Sequence, residues 1–317
     1  MSELLCEWVR QDFEVDLVSA HPAHHGADSA AEVWRGFGAD GQTYAVKLSG
    51  GGSVAGLIVC AQLVLSGVDG VPRPIPTADG RLWSDRDSRR LSLAPWVSDE
   101  RAFDGNTIPE HWSAYGRLLS GLHHLPVTDE LSRVVPCEVH THERIAALTH
   151  DVDTRLQRPA DDAIVRALAR AWFRSGVLVV LDRADALGAR LRESSDLPRV
   201  ICHADPHLGN LLIGPDGEVW LIDWDDVILA PPERDLMFVL GEIFGKMSAQ
   251  EQRLFFDAYG DVRIDPDRLA YYRAVRTLED AVGFAAQVLD LDGPTDQERE
   301  EALEIACSVL ALPAGYA

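Results

Sequence analysis

The sequence predicts an α+β protein. A small, antiparallel, β-rich N-terminal lobe (residues 1–97) precedes a larger, mainly helical C-terminal lobe (residues 98–317). Three observations predict this. Short apolar runs broken by turn residues fill the first hundred positions. From about residue 107 the apolar positions switch to a helical period. A hairpin crowded with carboxylates, at residues 201–226, interrupts the helical part.

Taken in order, Phe13 to Ala20, Ala30 to Phe37 and Gln42 to Leu48 have the composition of strands, separated by HPAHHGADS and GADG, which have turn chemistry. After SGGGS (residues 49–53) the apolar stretch Val54 to Leu65 predicts a helix, and Gly67 to Pro76 an extended link. GRLWSDRDSRRLSLAPWV then predicts two more strands about a turn at Asp85 to Ser88. Trp112, Tyr115, Leu118, Leu119, Leu122 and Leu125 share one helical face. Asp161 to Arg174 and Leu178 to Leu191 predict two further helices. Arg199 to His203 predicts a short strand, and Asn210 to Ile213 pairs with Val219 to Asp223 across the turn at Pro215–Gly217. Beyond these, Ser248 with Glu251 forms a capping box, Asp265–Pro266 opens a long helix to about Asp290, and Thr295 with Glu298 opens another.

Composition narrows the function classes. The net charge of −22 disfavours a broad nucleic-acid-binding surface; a field of that sign attracts small cations and magnesium, or serves only to keep the protein soluble. No apolar run reaches the roughly 18 residues of a bilayer span. Glu3 and Glu7 stand where a signal peptide would carry basic charge, so a cytoplasmic location is expected. The five cysteines are odd in number and have no CxxC spacing, which speaks against a disulfide framework or a cysteine zinc site. The histidine groups at 21–25, 123–124 and 140–142 have no carboxylate or cysteine partner at ligand spacing. No obligate protein partner is evident.

The stretch ICHADPHLGNLLIGPDGEVWLIDWDD (Ile201–Asp226) carries the chemistry. Carboxylates near an apolar core are costly unless a cation or proton sits among them. Asn210 opens one strand and Asp223 ends its partner, so the two face each other, and oxygen ligands of this kind suit a hard divalent cation. Asp205 lies one loop away, where it could receive a proton from an alcohol. Phosphoryl transfer from ATP needs this combination of metal ligands and a carboxylate that orients the nucleophile. The competing explanation, a polar turn on a surface hairpin, does not account for the apolar flanks or the full spacing.

The HxDxxxxN spacing followed by Asp, behind a β-rich first hundred residues, resembles the protein-kinase-like bilobal fold. HADPHLGN stands where protein kinases have their catalytic loop, and IDWDD where they have DFG. The form resembles the aminoglycoside phosphotransferase and choline kinase family. CHADPHLGNLLI, WLIDWDD, LAPPERDLMFV, YAVKL, LAPWV and YYRAVRTLEDAV are similar to its spectinomycin-phosphorylating members. The resemblance implies an N-terminal nucleotide-binding lobe, ATP or another nucleoside triphosphate, and Mg2+. It also implies transfer to a hydroxyl of a cationic aminocyclitol or aminoglycoside, spectinomycin first among them, conferring resistance. Asp205 would be the base, Asn210 and Asp223 the metal ligands, and Lys47 the phosphate contact. His203 would brace the catalytic loop, and Asp235 would accept bonds from the loop backbone. Ala94 to Trp96 would meet the adenine edge, and backbone near Gly26 to Ser29 would cover the phosphates. Asp225 and Trp224, beside the metal ligands, are candidates for the metal or substrate environment.

One departure stands out. Kinase-like enzymes pair the strand lysine with a glutamate on the next helix, yet between Lys47 and Asp69 there is no Asp or Glu. Either Gln62 holds Lys47 or the nucleotide phosphates alone do. Two alternatives remain open at this point: a metabolic kinase for another amino alcohol or amino sugar, and a non-catalytic nucleotide-binding protein of kinase fold.

Overall fold

The computed structural model describes residues 2–23, 31–194, 197–241, 247–291 and 293–312. In chain order the elements are α1 (Ser2–Phe13), β1 (Leu17–Pro22), β2 (Ala31–Gly38), β3 (Thr43–Ser49), α2 (Ala55–Leu65), β4 (Ser84–Arg86), β5 (Arg89–Pro95), β6 (Glu100–Arg101) and α3 (Pro109–His123). Then come α4 (Asp129–Val134), α5 (Glu143–Leu156), α6 (Ala163–Ser175), α7 (Val177–Glu193), β7 (Val200–Cys202), β8 (Leu211–Ile213), β9 (Val219–Leu221) and β10 (Ile228–Ala230). α8 (Glu233–Val239), α9 (Ala249–Tyr259), α10 (Pro266–Leu289) and α11 (Asp296–Leu310) follow. An antiparallel sheet thus precedes a mainly helical region, as the sequence predicts. Among the described residues no helix is long and apolar enough to cross a membrane.

Packing groups the chain into two compact units. One comprises Met1–Cys137, Val200–Ala230 and Met247–Asp261; the other comprises Glu138–Arg199, Pro231–Lys246 and Val262–Ala317. This grouping crosses the junction at 97/98, because the segment Val200–Ala230, which holds the β8–β9 hairpin, groups with the N-terminal sheet.

The first unit is built on a five-stranded antiparallel sheet in the order β1-β2-β3-β5-β4. The two-residue turn between β4 and β5 places both Asp87 and Ser88 at positive φ (50° and 60°), the geometry whose twist matches a hairpin. Helix α1, in a stretch for which the sequence predicts no element before Phe13, buries Leu5, Trp8, Val9 and Phe13 with Leu17, Val46, Leu48, Leu91 and Leu93 of the sheet. Asp12 near its end accepts from Ser84 Oγ and from both Nε and an Nη of Arg86, at 2.5–2.8 Å. β8 pairs with β9 and, on its other edge, with β6; β7 pairs with β10.

Two glycines bring the N-terminal sheet region against this hairpin. Gly70 sits at φ +82°, its carbonyl accepts from Leu221 N at 2.8 Å, and a Cβ there would stand 2.3 Å from the Val219 carbonyl oxygen. Gly56, in the first turn of α2, touches the backbone of Trp224 so closely that a Cβ would lie 2.0 Å from its oxygen.

The second unit is helical. Its core joins faces of α5, α6, α7, α8, α10 and α11, with Trp172, Leu181, Phe238, Tyr271, Tyr272 and Leu278 among the buried side chains. α10 starts as the sequence predicts: Asp265 accepts from the Asp267 and Arg268 amides, and Pro266 follows at the first helical position. The box at Thr295/Glu298 is formed here, and that at Ser248/Glu251 is formed on α9 in the first unit. The fully buried Glu233 is matched by Arg268, which donates to both its oxygens at 2.9 and 3.0 Å.

Candidate active site

Strand β3 alternates, so Val46 and Leu48 are buried in the sheet core while Lys47 and Ser49 share the other face. Lys47 pairs in register with Val33 on one side and Ser92 on the other. Its Nζ lies 2.6 Å from Asp223 Oδ1 and 3.0 Å from Asp225 Oδ2. The sequence predicts that Gln62 or the nucleotide phosphates alone hold the strand lysine; two carboxylates from the hairpin hold it instead. Burial alone would pull the Lys47 ammonium down. The charges and hydrogen bonds of Asp223 and Asp225 outweigh it and hold its pKa above the ordinary value. Burial in turn would raise the Asp223 carboxyl, but Lys47 brings it below the usual range, with His203 and His207 adding in the same direction.

Asp223 is a non-glycine residue at φ +65°, and Ala204 another at φ +73°. Such conformations are costly unless the surroundings impose them, and they gather at functional sites. Here they turn the chain sharply at both ends of the site. The loop between β7 and β8 is held from several directions. Tyr115 Oη donates to the Pro206 carbonyl at 2.6 Å, and Asn210 N donates to the His207 carbonyl at 2.9 Å. Phe103 N donates to the Leu208 carbonyl at 3.2 Å.

His203 is fully buried. Its Nδ1 accepts from Asp205 N at 3.3 Å, its Nε2 bonds the Ile222 carbonyl at 3.0 Å, and its ring meets Trp224 edge-on with centroids 4.7 Å apart. It links the Asp205 loop to the Asp223 turn. Trp224, with Nε1 donating to the Leu221 carbonyl at 2.7 Å, is a buried structural residue of that turn.

Asn210 is nearly buried, and its amide nitrogen donates to the Asp205 carbonyl at 2.9 Å, with the Asp205 carboxylate at 3.4 Å. The Ile222 amide donates to the Asn210 carbonyl at 3.0 Å. This linkage ties the start of β8 to the residue before Asp223. With the nitrogen engaged, Asn210 Oδ1 accepts no hydrogen bond among the described residues, and Asp223 Oδ2 is likewise left over when Oδ1 takes Lys47. These two oxygens fit a hard divalent cation. Asp205 itself is one-fifth exposed, 3.6 Å from His207 Nε2.

Asp225 lies deeper than Asp223, 28% against 47% exposed. Ser49 Oγ is 3.4 Å from its Oδ2 and Arg90 3.8 Å from its Oδ1. Arg90 also donates to the Gly51 carbonyl at 3.0 Å. Neither Ser49 nor Arg90 was singled out from sequence, although the period of two on β3 puts Ser49 beside Lys47, and Arg90 is its partner across the ladder.

At the edge of the sheet, the Trp96 amide donates to the Thr43 carbonyl at 2.9 Å and is taken up by the ladder, while Ala94 pairs with Ala45. The Trp96 ring lies 5.0 Å from the Arg35 guanidinium. Gly26 and Ser29 lie outside the described residues. Asp235 is fully buried in α8, within the helical unit.

Residues 57–272 match the model of the phosphotransferase enzyme family. No curated protein sequence matches the chain. Among solved structures, a spectinomycin phosphotransferase in complex with ADP and spectinomycin is similar with a TM-score of 0.84 at 22% identity, over 100% of this chain and 99% of that one. An amicoumacin kinase in complex with AMP-PNP and Ca2+ has a TM-score of 0.61 at 16% identity, over 98% and 94%. A choline kinase from Streptococcus pneumoniae has a TM-score of 0.58 at 14% identity, over 98% of each chain. At these identities the likeness shows the fold.

Proposed function

The chain belongs to the phosphotransferase enzyme family, and from that premise we propose that it transfers the γ-phosphoryl group of ATP to a hydroxyl of a cationic aminocyclitol or aminoglycoside antibiotic, with spectinomycin the first candidate. The observation that carries the reading is the joining of Asp205, Asn210 and Asp223 on one braced loop and hairpin, with Lys47 in contact with Asp223.

In this reading Asp205 orients the acceptor hydroxyl and takes its proton as the new P–O bond forms and the bond from the γ-phosphorus to the bridging oxygen of ATP breaks, with ADP leaving. His203 acts through the loop, fixing the Asp205 backbone against the Asp223 turn. Asn210 Oδ1 and Asp223 would hold Mg2+, which supplies charge neutralisation at the phosphate oxygens. Lys47 contacts the phosphates, and Ala94 to Trp96 borders the adenine through groups other than the Trp96 amide. Gly26 and Ser29 remain proposed phosphate-loop positions, and Asp235 a proposed support of the catalytic loop. Acceptor choice is supported by the full-length likeness to the spectinomycin enzyme and by the net charge of −22, which attracts a cationic substrate. In a cell, phosphorylation of the drug would confer resistance.

The choline kinase likeness favours one second reading, a metabolic kinase for a different amino alcohol. The non-catalytic alternative loses its motive, since the strand lysine has acidic partners after all. The test is phosphate transfer by purified protein, with ATP and Mg2+, to a panel of aminocyclitols, aminoglycosides and amino alcohols. Product from spectinomycin and not from choline supports the first reading; the reverse supports the second.

A further inference from the structure

We infer that Asp225 takes over the task of the absent helix carboxylate and is the residue that positions Lys47 for the nucleotide. The inference rests on the nucleotide reading above and adds a positioning residue to it. Two carboxylates touch Lys47, but they are held differently. Asp223 is the more exposed, and its free Oδ2 is one of the two oxygens that suit the metal. Asp225 is set back, with Ser49 Oγ at its Oδ2 and Arg90 on the side of Oδ1. Asp223 thus has two tasks and Asp225 one.

The geometry also explains why the carboxylate comes from the hairpin and not from α2. Gly56 allows the first turn of α2 to press on the Trp224 backbone, which carries the neighbouring Asp225 in toward β3. Cys60, one turn further along, is buried, and its thiol is pushed well up by that burial and next by the Asp225 charge. A glutamate in this part of the helix would place a second negative charge beside Asp225. The small residues of α2 and the acid of the hairpin therefore answer one another. Ser49, two residues along the same face of β3, stands 3.4 Å from the same Asp225 oxygen that pairs with Lys47.

The experiment compares wild type, Asp225→Asn, Lys47→Ala and the double variant, by Mg-ATP calorimetry and by steady-state kinetics in both substrates. Asp225→Asn keeps the shape of the side chain and removes its charge. The expected result is an ATP Kd and KM raised roughly tenfold, within the range for coupled, contacting residues, with the acceptor KM unchanged. In the Lys47→Ala background the same substitution should change ATP affinity less than about twofold, because the group it acts through is gone. If the tenfold loss persists without Lys47, Asp225 serves only to anchor the Gly51 segment through Arg90, and the inference is overturned. Unchanged ATP affinity in Asp225→Asn overturns it as well. Should that variant fail to fold, Ser49→Ala, which loosens Asp225, carries the same test with a loss of about two- to threefold; no change there overturns the inference. If wild type binds no Mg-ATP, the nucleotide reading itself falls, and this inference with it.

Discussion

Gly56→Ala adds one methyl group at the tightest contact of the site. The new Cβ would stand 2.0 Å from the Trp224 carbonyl oxygen and 2.7 Å from its carbon, whereas real contacts essentially never fall below 3.0 Å. Both atoms are backbone, so no side chain can swing aside, and the helix and the turn must part by about 1 Å. Trp224 sits between Asp223 and Asp225, whose contacts to Lys47 are 2.6 and 3.0 Å. A shift of that size takes them to about 3.6 and 4.0 Å, beyond hydrogen-bond range. Overpacking of this kind costs about 1–3 kcal/mol. The better helix propensity of alanine offsets up to ~1 kcal/mol, and less in a first turn, so a net destabilisation of about 1–2 kcal/mol is expected. A displacement of ~1 Å in a catalytic constellation costs on the order of 10²-fold in turnover. The assay is thermal or urea unfolding together with the ATP KM and kcat. The companion variant is Gly283→Ala, where nothing lies within 4 Å of the added Cβ on an exposed helical position of α10; it should stabilise by about 0.5–1 kcal/mol and leave kinetics alone. A Gly56→Ala protein as stable and as active as wild type would refute the argument from close approach.

Three further outcomes follow from the same geometry. Asp205→Asn should lower turnover by roughly 10²-fold or more while Mg-ATP affinity stays near wild type; near-normal kcat removes Asp205 from proton transfer. Asp223→Asn, chosen because asparagine tolerates the positive φ at this position, should abolish the Mg2+ dependence of nucleotide binding in calorimetry, and an unchanged metal dependence would dismiss Asp223 as a ligand. Asp12 is held below the ordinary carboxylate range, chiefly by its Arg86 hydrogen bonds, against the opposing pull of burial. Its contribution to stability is therefore complete above the unfolded carboxylate pKa of ~3.9 and is lost as pH falls through the depressed native value. Asp12→Asn should cost about 1–2 kcal/mol at pH 7, with melting curves that converge on wild type under acid; a gap that widens as pH falls would contradict this.

The parts legible in the sequence share one property: their cause is local. The PDG turn, the capping boxes at Ser248 and Thr295, and the Asp265–Pro266 start are each set by side chains within four residues. The spacing of Asp205, Asn210 and Asp223 was readable because one loop and one hairpin carry all three. What escaped has distant causes. The partners of Lys47 lie 176 and 178 residues away, and no periodicity connects them. Strands β6 and β10 have two and three residues, too few to show an alternation, and exist because β8 and β7 offer them edges. The α1 helix is a different case. Leu5, Trp8, Val9 and Phe13 do have helical spacing, but the run is short and ends at the residue where the first strand was placed. Gly56 looks from sequence like any small residue in an apolar helix; its purpose is visible only with Trp224 against it.

The distance along the chain between Lys47 and Asp223 also has a consequence in time. During synthesis at about 5–20 residues per second, the strand lysine emerges roughly 9–35 s before its acid exists. Over that interval α2 has no Trp224 turn for Gly56 to rest against. Completion of the Lys47 contacts therefore waits on the closure of a long loop, a slow kind of contact to form.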